Sequence, residues 1–131
     1  MREGERQILK KQDAKVFRPT FIVVDPDHPG SISSRKLVLE TAKFNVITCY
    51  SGAESLVTLR RFPNVDATVL NADLRDMECS EIVRRMKSIA AKVPVILISP
   101  AEHNFDCKGV DHQLSSYEPK ELLELLQKLF G

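Results

Sequence analysis

The stretch Asp66-Ala67-Thr68-Val69-Leu70-Asn71-Ala72-Asp73-Leu74-Arg75-Asp76-Met77-Glu78-Cys79-Ser80-Glu81 decides how this chain is read. Thr68-Val69-Leu70 is a short apolar run rich in β-branched residues, which suits a strand, and it stops at a polar amide, Asn71. A polar segment follows, and beyond it Ile82, Met86 and Ile89 recur at the spacing of one helix face. A short apolar strand handing over to an amphipathic helix is the repeating unit of a parallel sheet covered on both faces.

The same alternation continues in both directions. Phe21-Ile22-Val23-Val24 ends in Asp25, Val46-Ile47-Thr48-Cys49 precedes Ser51-Gly52, and Val95-Ile96-Leu97-Ile98 ends in Ser99, with a weaker fifth run around Asp111 to Leu114. Ser51-Gly52-Ala53-Glu54 reads as a capping box opening a helix with Leu56 and Leu59 on its core face. Leu122, Leu125 or Leu126, and Leu129 mark the core face of a C-terminal helix. Right-handed crossovers place the helices on alternate faces. The expected fold is therefore α/β, a doubly wound five-stranded parallel sheet of flavodoxin-like order 2-1-3-4-5. In that order the site lies at the carboxyl ends of the central strands, where Asp25, Asp27, Asn71 and Ser99 cluster.

Composition narrows the function classes. The 131 residues make one domain, and 43% apolar with 28% charged residues is ordinary globular usage, which argues against disordered or disulfide-scaffold classes. No apolar run approaches the ~20 residues of a membrane span, and the N-terminus lacks the apolar core of a signal peptide, so a cytoplasmic protein is expected. Cys49, Cys79 and Cys107 are odd in number and widely spaced, which suits reduced thiols and makes metal binding by them improbable. Residues 1–19 carry a net charge of +3 while the remainder is mildly acidic. This basic N-terminal extension has no aromatic interleaving or recognition-helix pattern, so it reads as solvated chain and nucleic acid is not an expected partner. His28, His103 and His112 fall in separate segments without metal-ligand spacing. The chain has no nucleophile elbow, phosphate-binding loop or dinucleotide fingerprint, so no enzyme is expected.

Asp66–Glu81 resembles, without a gap, the third strand, following loop and third helix start of a response-regulator receiver domain of the chemotaxis type. The resemblance runs over residues 20–131, leaving residues 1–19 outside it, and implies two-component (phosphorelay) signal transduction. In that family the third strand ends on the aspartate that accepts phosphate. Asn71 stands there instead, and an amide has no carboxylate oxygen to attack a phosphoryl group. Phe21-Ile22-Val23-Val24-Asp25-Pro26-Asp27 is similar to the family's first strand and the acidic pair that helps hold Mg²⁺, with Pro26 replacing the second acid. Asp25, Asp27 and a neutral amide offer Mg²⁺ little of the oxygen charge it needs, so no cofactor is expected and any Mg²⁺ binding is expected to be weak.

Pro94–Ser99 resembles the segment ending in the family's switch hydroxyl, which Ser99 retains, although a turn-initiating serine before Pro100 is the more economical reading. The family's lysine at the end of the fifth strand falls on Ser115 or Ser116, according to the direction of counting, and is absent either way. A neutral serine cannot stabilise a developing phosphoryl anion as an ammonium does. Between Ser99 and Gly109 there is room for at most a turn or two, so the family's fourth helix is expected to be shortened or absent. These departures lead to the expectation of a phosphorylation-independent pseudo-receiver. It would act as a protein-interaction module for a signalling partner, such as a histidine kinase or another regulator. Two alternatives stay open: a receiver-like switch driven by a small ligand or metal in the strand-end pocket, and a regulatory fragment of a transcription factor.

Overall fold

The computed structural model describes residues 18–26, 34–100 and 106–131. In chain order the elements are β1 (Thr20–Val24), α1 (Ser34–Thr41), β2 (Asn45–Cys49), α2 (Gly52–Arg61), β3 (Ala67–Asn71), α3 (Cys79–Ile89), β4 (Val95–Ile98), β5 (His112–Leu114) and α4 (Pro119–Phe130). The five strands form one parallel sheet in the order β2-β1-β3-β4-β5. That is the doubly wound order expected from the alternation of apolar runs. Each face of the sheet carries its own core. Ile22, Val24, Leu70 and Leu97 face α2 and α3, whereas Phe21, Val23, Val69, Ile96 and Ile98 face α1 and α4. Alternate residues of the same strands thus serve opposite cores, which is why the central runs are apolar without interruption.

The helix ends follow local chemistry. Ser51 Oγ accepts the Glu54 N–H at 3.0 Å, and Glu54 reaches back to accept the Tyr50 N–H at 3.0 Å, one residue before the N-cap itself. Pro119 opens α4, where its missing N–H costs nothing, and Lys128 lies in the last turn, where it complements the helix dipole. Leu122 and Leu126 carry the buried face of α4, with Leu125 beside them; Leu129, expected on that face, is exposed. Lys43, after α1, holds a left-handed φ of 72°, and its neighbour's N–H, on Phe44, bonds back to the Leu39 carbonyl at 3.1 Å.

The thiol reading is corrected. Cys79 and Cys107 are joined in a disulfide, and Cys49 is the free cysteine, buried against Thr58 with its pKa raised chiefly by burial. Sequence spacing hid this pairing because the partners are 28 residues apart and meet only when α3 packs beside the turn before β5. The ground for a reducing compartment is thereby removed. Among the described residues no helix is long and apolar enough to cross a membrane. None of the described residues between β4 and β5 is helical. The basic extension as far as residue 17, Asp27, His28 and His103 lie outside the described residues.

Candidate functional site

The carboxyl ends of β1 and β3 bring Asp25 and Asn71 together. Strand pairing aligns Val24 with Leu70, so the next residue of each strand projects from the same end of the sheet. Asp25 is fully buried and Asn71 is 5% exposed. Asn71 Nδ2 donates to Asp25 Oδ1 at 3.0 Å, and Asn71 Oδ1 accepts the Asp73 N–H at 2.8 Å, which fixes the orientation of the amide.

The same Asp25 oxygen takes a second, charged donor. Arg35, in the first turn of α1, places Nη1 2.8 Å from Asp25 Oδ1 and directs Nη2 to the Tyr117 carbonyl at 3.3 Å. Its guanidinium also lies 5.3 Å from the centre of the Tyr117 ring, within cation–π range. With side-chain exposures of 13% for Arg35 and 1% for Asp25, this is a desolvated ion pair. Tyr117 completes the cage from the segment after β5. Its phenol pKa is raised, first by burial and then by the Asp73 carboxylate.

The remaining sequence candidates are placed as follows. Ser99 is fully buried at the end of β4, where its N–H bonds to the Leu114 carbonyl at 3.0 Å and its hydroxyl has no hydrogen-bond partner. Arg35 Nε and the Tyr117 hydroxyl are likewise buried without a well-formed partner. Ser115 is exposed beyond β5. Ser116 is turned toward the start of α4, where its hydroxyl accepts the Glu118 N–H at 3.1 Å and donates to Glu121. Neither serine takes the part of a pocket cation; Arg35 supplies that charge from the opposite end of the chain.

Two residues that sequence reasoning missed organise this region. Arg35 had a legible signal: Arg35 and Lys36 stand in the first turn of α1 with Glu40 near its end, the reverse of what the helix dipole favours. A cation held there needs an acid elsewhere to compensate, and Asp25 provides it. Asp76 is the other. It leaves the loop after β3 and accepts the Gly52 and Ala53 N–H groups at 2.9 Å each, capping α2 from outside its own sequence. Burial opposes ionisation of Asp76, yet these backbone bonds prevail and lower its pKa. Between Asp76, Asp73, Pro26 and Tyr50 an open cleft of about 660 Å³ lies over the strand ends.

Mg²⁺ does not fit the residues described. The one buried carboxylate, Asp25, already accepts from a guanidinium, and a cation at that oxygen would be held within ion-pair distance of Arg35. Asn71 contributes no charge, and among the described residues no group of three or more His, Cys, Asp and Glu could hold a metal.

Several solved structures share this architecture. The response regulator receiver domain protein of Methanospirillum hungatei, described as CheY-like, superposes with a TM-score of 0.70 at 18% identity, covering 86% of this chain and 94% of its own. The chain has the receiver fold. The receiver domain of a sensor histidine kinase from Pseudomonas aeruginosa, which holds a magnesium ion in its active-site cleft, gives a TM-score of 0.72 at 18% identity, covering 86% of this chain and 97% of its own. Chemotaxis protein CheY4 of Vibrio cholerae gives 0.69 at 24% identity, covering 87% of this chain and all of its own. No family model matches the sequence, and no curated protein does. At these identities the likeness is one of fold, and the pocket has to be read from its own atoms.

Proposed function

We propose that this protein is a phosphorylation-independent pseudo-receiver of two-component signalling, a cytoplasmic module that presents a fixed surface to a signalling protein such as a histidine kinase or another regulator. The observation that carries the reading is the Arg35–Asp25–Asn71 arrangement. A receiver that takes phosphate needs a carboxylate nucleophile and a divalent cation at the strand ends. Here an amide occupies the nucleophile position and the chain's own guanidinium sits on the remaining acid, so charge is balanced without metal or phosphoryl group. Residues 20–131 form the module in this proposal, and residues 1–19 a basic extension to it. The degenerate acceptor position is Asn71, Asp25 and Asp27 are the vestigial acids, Ser99 is the retained hydroxyl, and Ser115 and Ser116 cover the position of the lost lysine.

A second reading rests on a separate observation. Ser99 Oγ and Arg35 Nε are donors buried without hydrogen-bond partners around one end of the sheet, which suits a small ligand rich in acceptor oxygens. One experiment separates the two: an amide NMR titration with Mg²⁺ and then beryllofluoride. Static peaks for Asp25, Asn71 and Ser99 at millimolar additions support the pseudo-receiver. Shifts at those residues that spread to β5 would overturn it in favour of a ligand-driven switch.

A further inference from the structure

The proposed signalling role makes no use of the Cys79–Cys107 disulfide, although it lies beside the connection where the sequence leaves little room for a helix. Cys79 is the first residue of α3 and is half-buried, whereas Cys107 is 6% exposed and packs into the core over α3 with Val83 and Met86. Around this bond the turn at residues 106–110 has few other ties to the helix. The Lys108 N–H donates to Ser80 Oγ at 3.1 Å, and Gly109, at a φ of +91°, passes so close to Val83 that a Cβ there would lie 3.0 Å from its Cγ1. From Asp111 onward the chain is anchored independently. The Asp111 N–H donates to the Val95 carbonyl at 2.9 Å, and its carboxylate accepts the Val95 N–H at 2.8 Å and Lys87 at 2.6 Å. The anchoring of β5 to the sheet therefore does not pass through the disulfide.

We infer that Cys79–Cys107 is a reversible thiol–disulfide exchange site for a dithiol reductant, and that its state decides whether the 106–110 turn stays seated on α3. A thiolate of the dithiol attacks Cys79 Sγ, the more accessible partner, the S–S bond breaks, and Cys107 leaves as a thiolate that takes up a proton. The second thiol of the reductant then attacks the reductant's own sulfur in the mixed disulfide. Cys79 departs as a thiolate at the N-terminus of α3, where the unpaired N–H groups favour negative charge. Two electrons pass from the dithiol to the pair, and the dithiol becomes a disulfide. Glu81, in the same first turn, is neutralised by Arg84 and Arg85, at 2.6 and 2.8 Å, and so does little to oppose that thiolate.

The test uses the whole chain in glutathione redox buffers and with dithiothreitol. Maleimide labelling without denaturant, read by intact mass, is expected to add nothing to the oxidised protein, whose free Cys49 is buried, and two labels after reduction. Hydrogen exchange at the Lys108 amide is expected to rise at least about tenfold on reduction, while β3 and β4 keep their protection. The double variant C79S/C107S should exchange like the reduced protein and ignore the reductant. A bond that never forms in oxidising buffer, that resists dithiothreitol until the protein unfolds globally, or whose loss leaves Lys108 exchange unchanged overturns the inference. None of these outcomes bears on phosphoryl or metal binding at the strand ends, so the inference and the proposed function fail separately.

Discussion

Replacing Arg35 with methionine keeps most of the apolar stem and removes the guanidinium, which makes it the most direct probe of the strand-end pocket. The substitution removes the 2.8 Å ion pair to the fully buried Asp25 and keeps the Asn71 amide donor. Breaking one side of a buried pair costs about 3–5 kcal/mol, and the partial exposure of Arg35 places the expectation near about 3 kcal/mol. With a urea m-value of about 1.5 kcal/mol/M for a chain of this size, the midpoint should fall by about 2 M. The matched control is Arg84→Met, which removes an exposed, solvent-screened pair with Glu81 within one helix and should leave the midpoint close to that of the wild type. The double variant D25N/R35M removes both charges together and should recover most of the loss, because the cost lies in taking away one charge of a buried pair.

The same variant tests whether the guanidinium stands in for a diffusible cation. Freed of Arg35, Asp25 can attract a divalent ion. Binding with a Kd of about 1 mM would return about 1.4 kcal/mol of stability at about 10 mM Mg²⁺, by linkage. Wild-type stability should not respond to the same addition. If R35M loses no more than the Arg84 control, or if Mg²⁺ stabilises the wild type as much as the variant, the reasoning about an internal cation is wrong.

Three further outcomes follow from particular residues. Lys43→Gly relieves a left-handed backbone that penalises any side chain and should raise stability by about 0.5–1 kcal/mol, seen as a higher calorimetric Tm; a fall would show that the lysine side chain contributes more than its strain costs. Burial works against the Asp111 carboxylate, but bonds from Lys87 and the Val95 N–H lower its pKa, so the unfolded chain binds the proton more readily. That stability is complete above its ordinary value of 3.8 and is lost as pH falls through the lowered folded value, so Asp111→Asn should flatten the acid limb of the urea midpoint against pH. Asn71→Asp replaces the donor 3.0 Å from Asp25 with a second carboxylate and should destabilise the fold by about 2 kcal/mol near neutral pH, relieved as pH falls and one carboxylate takes a proton. The variant should gain no phosphoryl mass with acetyl phosphate and Mg²⁺; a phosphorylated product would show that Arg35 and the serines do not disable the pocket.

How much of this was legible depended on whether a feature is local. The apolar runs ending in Asp25, Asn71 and Ser99 are strands because their neighbours on both faces are helices, and that pattern is written continuously along the chain. Asp25 and Asn71 could be placed in one site because parallel strands align their ends. Arg35 left only the signal of a cation in the first turn of α1, not its place in the site, since its role depends on a guanidinium reaching back to an acid ten residues earlier and on to Tyr117 eighty-two residues later. The disulfide was hidden for the same reason, and an odd cysteine count favoured the opposite reading. Leu129 was misplaced because helical spacing identifies a stripe, whereas α4 buries only the part of that stripe that meets the sheet.

The two features the sequence concealed act alike. At the strand ends a guanidinium fixed to the chain occupies the acid that an exchangeable metal would otherwise claim. Beside β5, in a connection where no described residue is helical, a covalent bond holds the turn against α3. A fold that switches by ligand must keep two arrangements close in free energy, and each internal constraint widens that gap by favouring one of them. The Arg35 pair carries no exchangeable component, so it biases the pocket permanently. The disulfide can be opened by electrons from a dithiol, so it is the constraint through which this receiver fold can still be moved from one state to another.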